Sequence, residues 1–148
     1  MEIKQIDIAN YQLVTRLFDQ YRVFYKQASD IVLAETYIKN RLENNESVIF
    51  VALAGDKPVG FTQLYPLLSS VKATKNWLLN DLFVDSDHRK RGIGEVLLKT
   101  AANFAKSHGA TFVQLETASD NYTAQRLYEA VGFVKLDAKI SFNYRKAI

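Results

Sequence analysis

The chain contains no cysteine, which excludes a disulfide framework, a thiol nucleophile and a thiolate metal site. Its two histidines, His88 and His108, lie far apart with no ligand spacing, so no metal site is expected. No apolar run reaches the length of a membrane span. The opening residues Met1-Glu2-Ile3-Lys4-Gln5-Ile6 read as a strand and lack the long apolar stretch of a signal peptide. Repeats, linkers and low-complexity tracts are also missing. These absences suit a cytoplasmic enzyme.

What is present is ordinary for a globular domain. The 148 residues are 48% hydrophobic and 24% charged, enough for one domain with a real core, expected over residues 1–148. The net charge of +3 is modest, so its placement matters more than its size. Between Asp87 and Lys106 stand Arg89, Lys90, Arg91, Lys99 and Lys106 against only Asp87 and Glu95. A narrow basic excess beside glycines suggests a small polyanion, or a solvated charge run. A nucleic-acid surface would need a broader basic face, so no nucleic-acid partner is expected.

Residues 2–7 read as a short edge strand. Residues 10–26 carry Leu13, Val14, Leu17, Phe18, Tyr21, Val23, Phe24 and Tyr25 at helical spacing. Asp30 offers a cap for a second helix over residues 30–44, with Leu33, Tyr37, Ile38 and Leu42 inward. Residues 48–54 form a strand candidate, residues 55–58 a turn, and Val59 to Tyr65 the return arm. Pro66 permits continuation only at an edge or a bulge. Ser69 to Lys75 reads as a polar loop, either rimming a pocket or idle. Trp77 to Val84 is the most apolar strand, as expected for burial on both faces.

The helix after Gly92 buries Ile93, Val96, Leu97, Thr100, Ala101, Phe104 and Ala105, and Gly109 stops it. Thr111 to Ala118 reads as a strand. A short helix capped by Asp120 or Asn121 turns Ala124, Leu127, Tyr128 and Val131 inward and ends at Gly132. Residues 133–137 and 139–145 make a final antiparallel pair, the second of which either completes the sheet or offers an edge for a homodimer.

The segment Arg89-Lys90-Arg91-Gly92-Ile93-Gly94 joins a buried strand to an amphipathic helix. First-turn amides of a helix have no intrahelical acceptor, and the dipole places partial positive charge there. Glycine lets a phosphate come close, so the pattern is either an anion cradle or a plain tight turn. No Gly-Lys-Ser/Thr follows, so it is not a Walker loop.

Residues 80–94, Asn-Asp-Leu-Phe-Val-Asp-Ser-Asp-His-Arg-Lys-Arg-Gly-Ile-Gly, resemble the GNAT acetyltransferase signature, a strand followed by Arg/Gln-x-x-Gly-x-Gly/Ala. Residues 121–133 are similar to that family's Asn-x-x-Ala-x-x-Leu-Tyr…Gly-Phe segment, in the expected order. The resemblance implies a single α/β GNAT-like domain. Its mixed, mostly antiparallel sheet would have about seven strands flanked by about four helices, with a splayed central strand pair.

The resemblance also implies the ligand and its contacts. Acetyl-CoA would be the acyl donor. The main chain of Leu82, Phe83 and Val84 would pair with the pantetheine arm, and amides of Arg89, Lys90, Arg91, Gly92, Ile93, Gly94 and Glu95 would take the pyrophosphate. Asn121 and Ala124 would border the cofactor, Asn121 having a helix cap as its plainer role. Tyr128, by spacing alone a packing residue, would lie beside the CoA sulfur and protonate or hydrogen-bond the leaving thiolate. A phenol with pKa about 10 is still protonated at neutral pH.

The acceptor would be a primary amine of a small molecule, a polyamine, an amino acid or a protein. An alkyl amine with pKa about 10.4 is mostly protonated at neutral pH, so a base must take a proton. Asp81, Glu116 and a water chain are the alternatives, since Asn80 stands where several polyamine-acetylating relatives carry glutamate. The aromatic residues Tyr21, Phe24, Tyr25, Tyr65 and Trp77 either wall the amine pocket or fill core. A CoA-binding module without turnover is the competing reading.

Overall fold

The computed structural model describes residues 1–137 and 141–148. They gather into two compact units, Met1–Glu116 and Thr117–Ile148. The first holds β1 (Glu2–Gln5), α1 (Gln12–Phe24), α2 (Ile31–Glu43), β2 (Val48–Ala54), β3 (Lys57–Ser69), β4 (Thr74–Val84), α3 (Ile93–Ser107) and β5 (Val113–Gln114). The sheet runs β1-β2-β3-β4-β5; its first four strands are antiparallel and β5 joins β4 in parallel. No helix among the described residues is long and apolar enough to cross a membrane.

Sequence chemistry sets the helix limits. The Asp30 side chain accepts from the Leu33 amide at 3.0 Å, so α2 starts where a cap can satisfy an orphan donor. The apolar stripe of α1 buries Val14, Leu17 and Phe18, which join Ala34 and Ile38 of α2 over one sheet face. That face contributes Ile49, Val51, Leu53, Phe61 and Phe83. On the opposite face Phe104 of α3 packs edge-on against Phe50 and Trp77. Gly60 lets α3 approach, since a Cβ there would lie 3.1 Å from the Phe83 carbonyl and 3.3 Å from Ile93 Cγ2.

The hairpin β3–β4 is longer than the sequence pattern suggests. Ser69 pairs with Thr74, so the expected polar loop shrinks to a tight turn in which Ala73 takes a positive φ of 51°. Pro66 sits inside β3, but beyond Val48↔Leu64, where the β2 ladder ends. Its missing N–H therefore costs no bond on that side.

One register shift positions the site. Gln63 opposes Asp81 and Leu64 opposes Leu79, which leaves Asn80 as an extra residue in β4. A β-bulge of this kind reverses the facing of residues beyond it. Trp77 accordingly meets Phe104 of α3, whereas Phe83 meets Tyr21 and Phe24 of α1 on the other face. The expectation that Trp77–Val84 is buried on both faces is corrected, because Trp77, Leu79, Asp81 and Phe83 are buried while Asn80 is exposed.

The expected sheet of about seven strands is also corrected, to five among the described residues. The strand expected over residues 111–118 is reduced to Val113–Gln114. Its ladder has two pairs, Trp77↔Val113 and Leu78↔Gln114, and among the described residues no ladder continues along Leu79–Val84 on that side.

In the second unit α4 (Tyr122–Val131) is capped by Asn121, whose side chain accepts from the Ala124 amide at 3.2 Å. Gly132 ends it with φ 106°, and the Phe133 amide returns to the Tyr128 carbonyl at 3.0 Å. Residues 133–137 and 141–145 form no strand; the rest of the expected final pair, 138–140, lies outside the described residues. Alternating sequence makes a strand only where a partner edge accepts it, and Val134, Leu136, Phe142 and Tyr144 are exposed.

Candidate active site

The first unit contains a cavity of about 460 Å³ lined by side chains of α1, α2, β3 and β4 and by the turn after α1. Its walls are rich in aromatic residues: Phe18, Tyr21 and Tyr25 from the α1 side, Tyr37 from α2 and Tyr65 from β3. Phe18 stacks on Tyr37 with centroids 5.4 Å apart, and Tyr21 meets Tyr25 edge-on at 5.0 Å. Of the rings proposed for an amine pocket, Tyr21, Tyr25 and Tyr65 line this cavity. Trp77 instead packs on α3, and Phe24 lies beside Phe83.

Asp81 lines the cavity and is 2% exposed. The Asn80 bulge turns it onto the α1 face, opposite Gln63 in the register. Gln63 Nε2 donates to one carboxylate oxygen and Asn80 Nδ2 to the other at 2.8 Å. Ser47 in turn donates to Gln63 Oε1 at 2.7 Å, which fixes the amide orientation. Burial pushes the Asp81 carboxyl above its usual 3.8, against the opposing pull of hydrogen bonds from Gln63, Asn80 and Tyr21. Glu116, the other carboxylate considered as a base, is exposed and does not line the cavity.

Tyr37 and Tyr65 share a hydrogen bond of 2.7 Å between their hydroxyls. Burial first, then that bond and the negative charge of Asp81, raise the Tyr65 hydroxyl above its usual 10.0. It therefore stays protonated and able to donate over the working pH range. Sequence reasoning missed Gln63, Tyr37 and Arg22 here. Gln63 sits in an apolar strand pattern, and only its register position opposite Asp81 distinguishes it.

Leu82, Phe83 and Val84 end β4 and lead through a short 3-10 turn at Ser86–His88 into Arg89. Lys90 and Gly92 both take left-handed backbone, at φ 63° and 77°, before α3 begins at Ile93. Lys90 adopts that conformation despite its Cβ, whereas Gly92 does so without steric cost. Gly92 provides no side-chain cap to α3, and the first intrahelical bond is from Val96 to the Gly92 carbonyl at 3.1 Å. The amides of Ile93, Gly94 and Glu95 thus precede the helical ladder.

Arg89 turns back rather than outward: its Nε donates to the Val84 carbonyl at 2.9 Å and its guanidinium covers Phe24 and Phe83. Lys90 and Arg91 are exposed. His88 is half-buried beside Asp85, 4.0 Å away. Asn121, Ala124 and Tyr128 belong to the second unit. There Tyr128 is half-buried on α4, with its ring edge-on to Phe133 at 6.1 Å.

The family model of the acetyltransferase (GNAT) family matches residues 11–133. The chain belongs to the GNAT family. An uncharacterized N-acetyltransferase, YhfO of Bacillus subtilis (strain 168), is 44% identical over 133 residues, covering 90% of this chain and 89% of that protein. The crystal structure of a probable acetyltransferase superposes with a TM-score of 0.88 at 35% identity, covering 100% of this chain and 98% of its own. An aminoglycoside N-acetyltransferase in complex with CoA shares the fold at a TM-score of 0.82 and 18% identity, with 98% and 95% covered.

Acetyl transfer to amines is the chemistry that accompanies this GNAT membership. The GNAT signature noted in the sequence falls on the end of β4 and the start of α3. The second signature block falls on α4, in the second unit.

Proposed function

We propose that residues 1–148 act as one domain that transfers an acetyl group from acetyl-CoA directly to a primary amine of a small molecule or a peptide. The observation that carries this reading is the start of α3: a left-handed turn at Lys90 and Gly92 opens a helix with no side-chain cap. It adjoins the end of a strand whose β5 ladder stops at Leu78. Amides there suit a diphosphate, and a strand edge suits an amide-bearing arm. The CoA-bound neighbour of the same fold supports the choice of donor.

Acetyl-CoA, when bound, supplies a thioester carbonyl as the electrophile. In this reading Arg89 to Glu95 hold the diphosphate through main-chain amides, Leu82 to Val84 align the arm, and Asn121 and Ala124 border it. The amine attacks the carbonyl, so a C–N bond forms as the C–S bond breaks. Asp81 takes the proton released from nitrogen, and Tyr128 gives its hydroxyl proton to the departing sulfur. Asp81 is preferred to Glu116 because it is the carboxylate lining the cavity. The absence of cysteine favours this direct route over a thiol-borne acyl enzyme.

The test is a calorimetric titration with CoA together with a thiol-release assay using acetyl-CoA across an amine panel. Uptake of CoA and acetyl-CoA-dependent thiol release are expected. Uptake without release from any amine would leave only the binding module, and no uptake would remove the donor assignment.

A further inference from the structure

Among the described residues, the cavity is lined by two groups of opposite formal charge and no others: Asp81 on β4 and Arg22 in the last turn of α1. Arg22 has a guanidinium with five donors. The structure engages it through one long bond, 3.4 Å to the Ala28 carbonyl. Among the described residues no carboxylate stands within ion-pair distance of it. Asp81, by contrast, is buried and oriented by Gln63 and Asn80. The same cavity is lined by aromatic and aliphatic side chains, among them Tyr21, Tyr25 and Leu33.

This charge inventory separates the acceptor classes. A polyamine brings a second cation into a cavity whose remaining charged group is itself a cation, and like charges in a partly desolvated site repel. A neutral monoamine leaves the Arg22 guanidinium without an anion. A molecule carrying both an amine and a carboxylate satisfies both groups, and the planar guanidinium fork matches a carboxylate. The volume, about 460 Å³, fits a small molecule.

Resting on the acetyl-transfer reading above, we propose that the acceptor is a small amino acid-like molecule: its amine meets Asp81, its carboxylate pairs with Arg22, and its apolar body lies along Tyr21, Tyr25 and Leu33.

The test compares L-phenylalanine with phenethylamine, L-leucine with isoamylamine, and both amino acids with spermidine, by thiol release from acetyl-CoA. The amino acids are expected to show the higher kcat/KM. In Arg22→Gln the amino acid-to-amine ratio should fall about tenfold or more, and Arg22→Lys should retain part of it. A ratio of ratios cancels the differing basicities of the amines. Calorimetry on the CoA-loaded chain provides a second readout, with amino acid uptake weakened in Arg22→Gln.

Preference for spermidine or for the decarboxylated amines would overturn the assignment, as would a ratio indifferent to Arg22→Gln. If no amine releases thiol, the acetyl-transfer reading fails on its own, and the calorimetric arm still decides the pocket. No uptake of either amino acid there would refute the acceptor class.

Discussion

Asp81 is a carboxylate whose burial works against its own charge. Its folded-state pKa is raised, so the folded chain binds this proton more tightly than the unfolded chain does. Stability from this group is therefore largest at low pH, and falls as pH rises from the ordinary 3.8 through the raised value. Catalysis runs the other way, because only the ionised form can accept a proton. An acid limb in kcat/KM should appear above the usual carboxylate range. The charged and titratable groups around Asp81 in the cavity are Arg22, Tyr21, Tyr25, Tyr37 and Tyr65. Burial holds the Tyr65 hydroxyl protonated there, and Asp81 should govern that limb. Asp81→Asn should abolish it and lower kcat by about a hundredfold or more. The same variant should flatten the pH dependence of urea midpoints; a limb that persists in it would assign the base elsewhere. Tyr128→Phe should cost about as much in kcat with CoA affinity nearly unchanged, and unaltered turnover would take Tyr128 out of the mechanism.

Among the elements, α3 depends on close approach to the sheet. At Gly60 a Cβ would meet the Phe83 main chain, which cannot swing aside as a side-chain tip could. Gly60→Val should destabilise the fold by about 1–3 kcal/mol in urea unfolding and, by shifting the start of α3, weaken CoA binding as well. Gly92 differs, because a Cβ there meets nothing within 4 Å while its φ of 77° disfavours any side chain. Gly92→Val and Gly94→Val should both weaken CoA uptake by obstructing the diphosphate. Normal affinity in both variants would refute the cradle. The helices were legible at this scale because α1 and α3 each carry an apolar stripe at the 3.6-residue period, with Asp30, Asn121 and Gly132 marking ends. Strand limits were less legible: Leu67 and Leu68 follow Pro66, and residues 69 and 74–76 are polar, yet the β3–β4 ladder continues through them.

For the molecule as a whole, the net charge of +3 is too small for long-range steering, so the exposed Lys90 and Arg91 act locally. CoA affinity should fall with added salt as those charges are screened over about 10 Å at 0.1 M ionic strength. Acetyl-CoA at about a hundred times its Kd should stabilise the chain by about 2.7 kcal/mol, seen as a rise in Tm. No rise at saturating ligand would contradict the proposed donor.

The sequence by itself determined the family, through two signature blocks at residues 80–94 and 121–133, because those segments encode local events: a strand end, a turn and two helix starts. Local chemistry is readable in one dimension. The tertiary structure decided which way Asp81 points. Period-two alternation would place it on the same face as Trp77, toward α3. The extra residue at Asn80 exists only in the pairing of β4 with β3, and it turns Asp81 to the aromatic cavity that Arg22 also lines. Register is a relation between strands distant in sequence, so no window along either strand contains it.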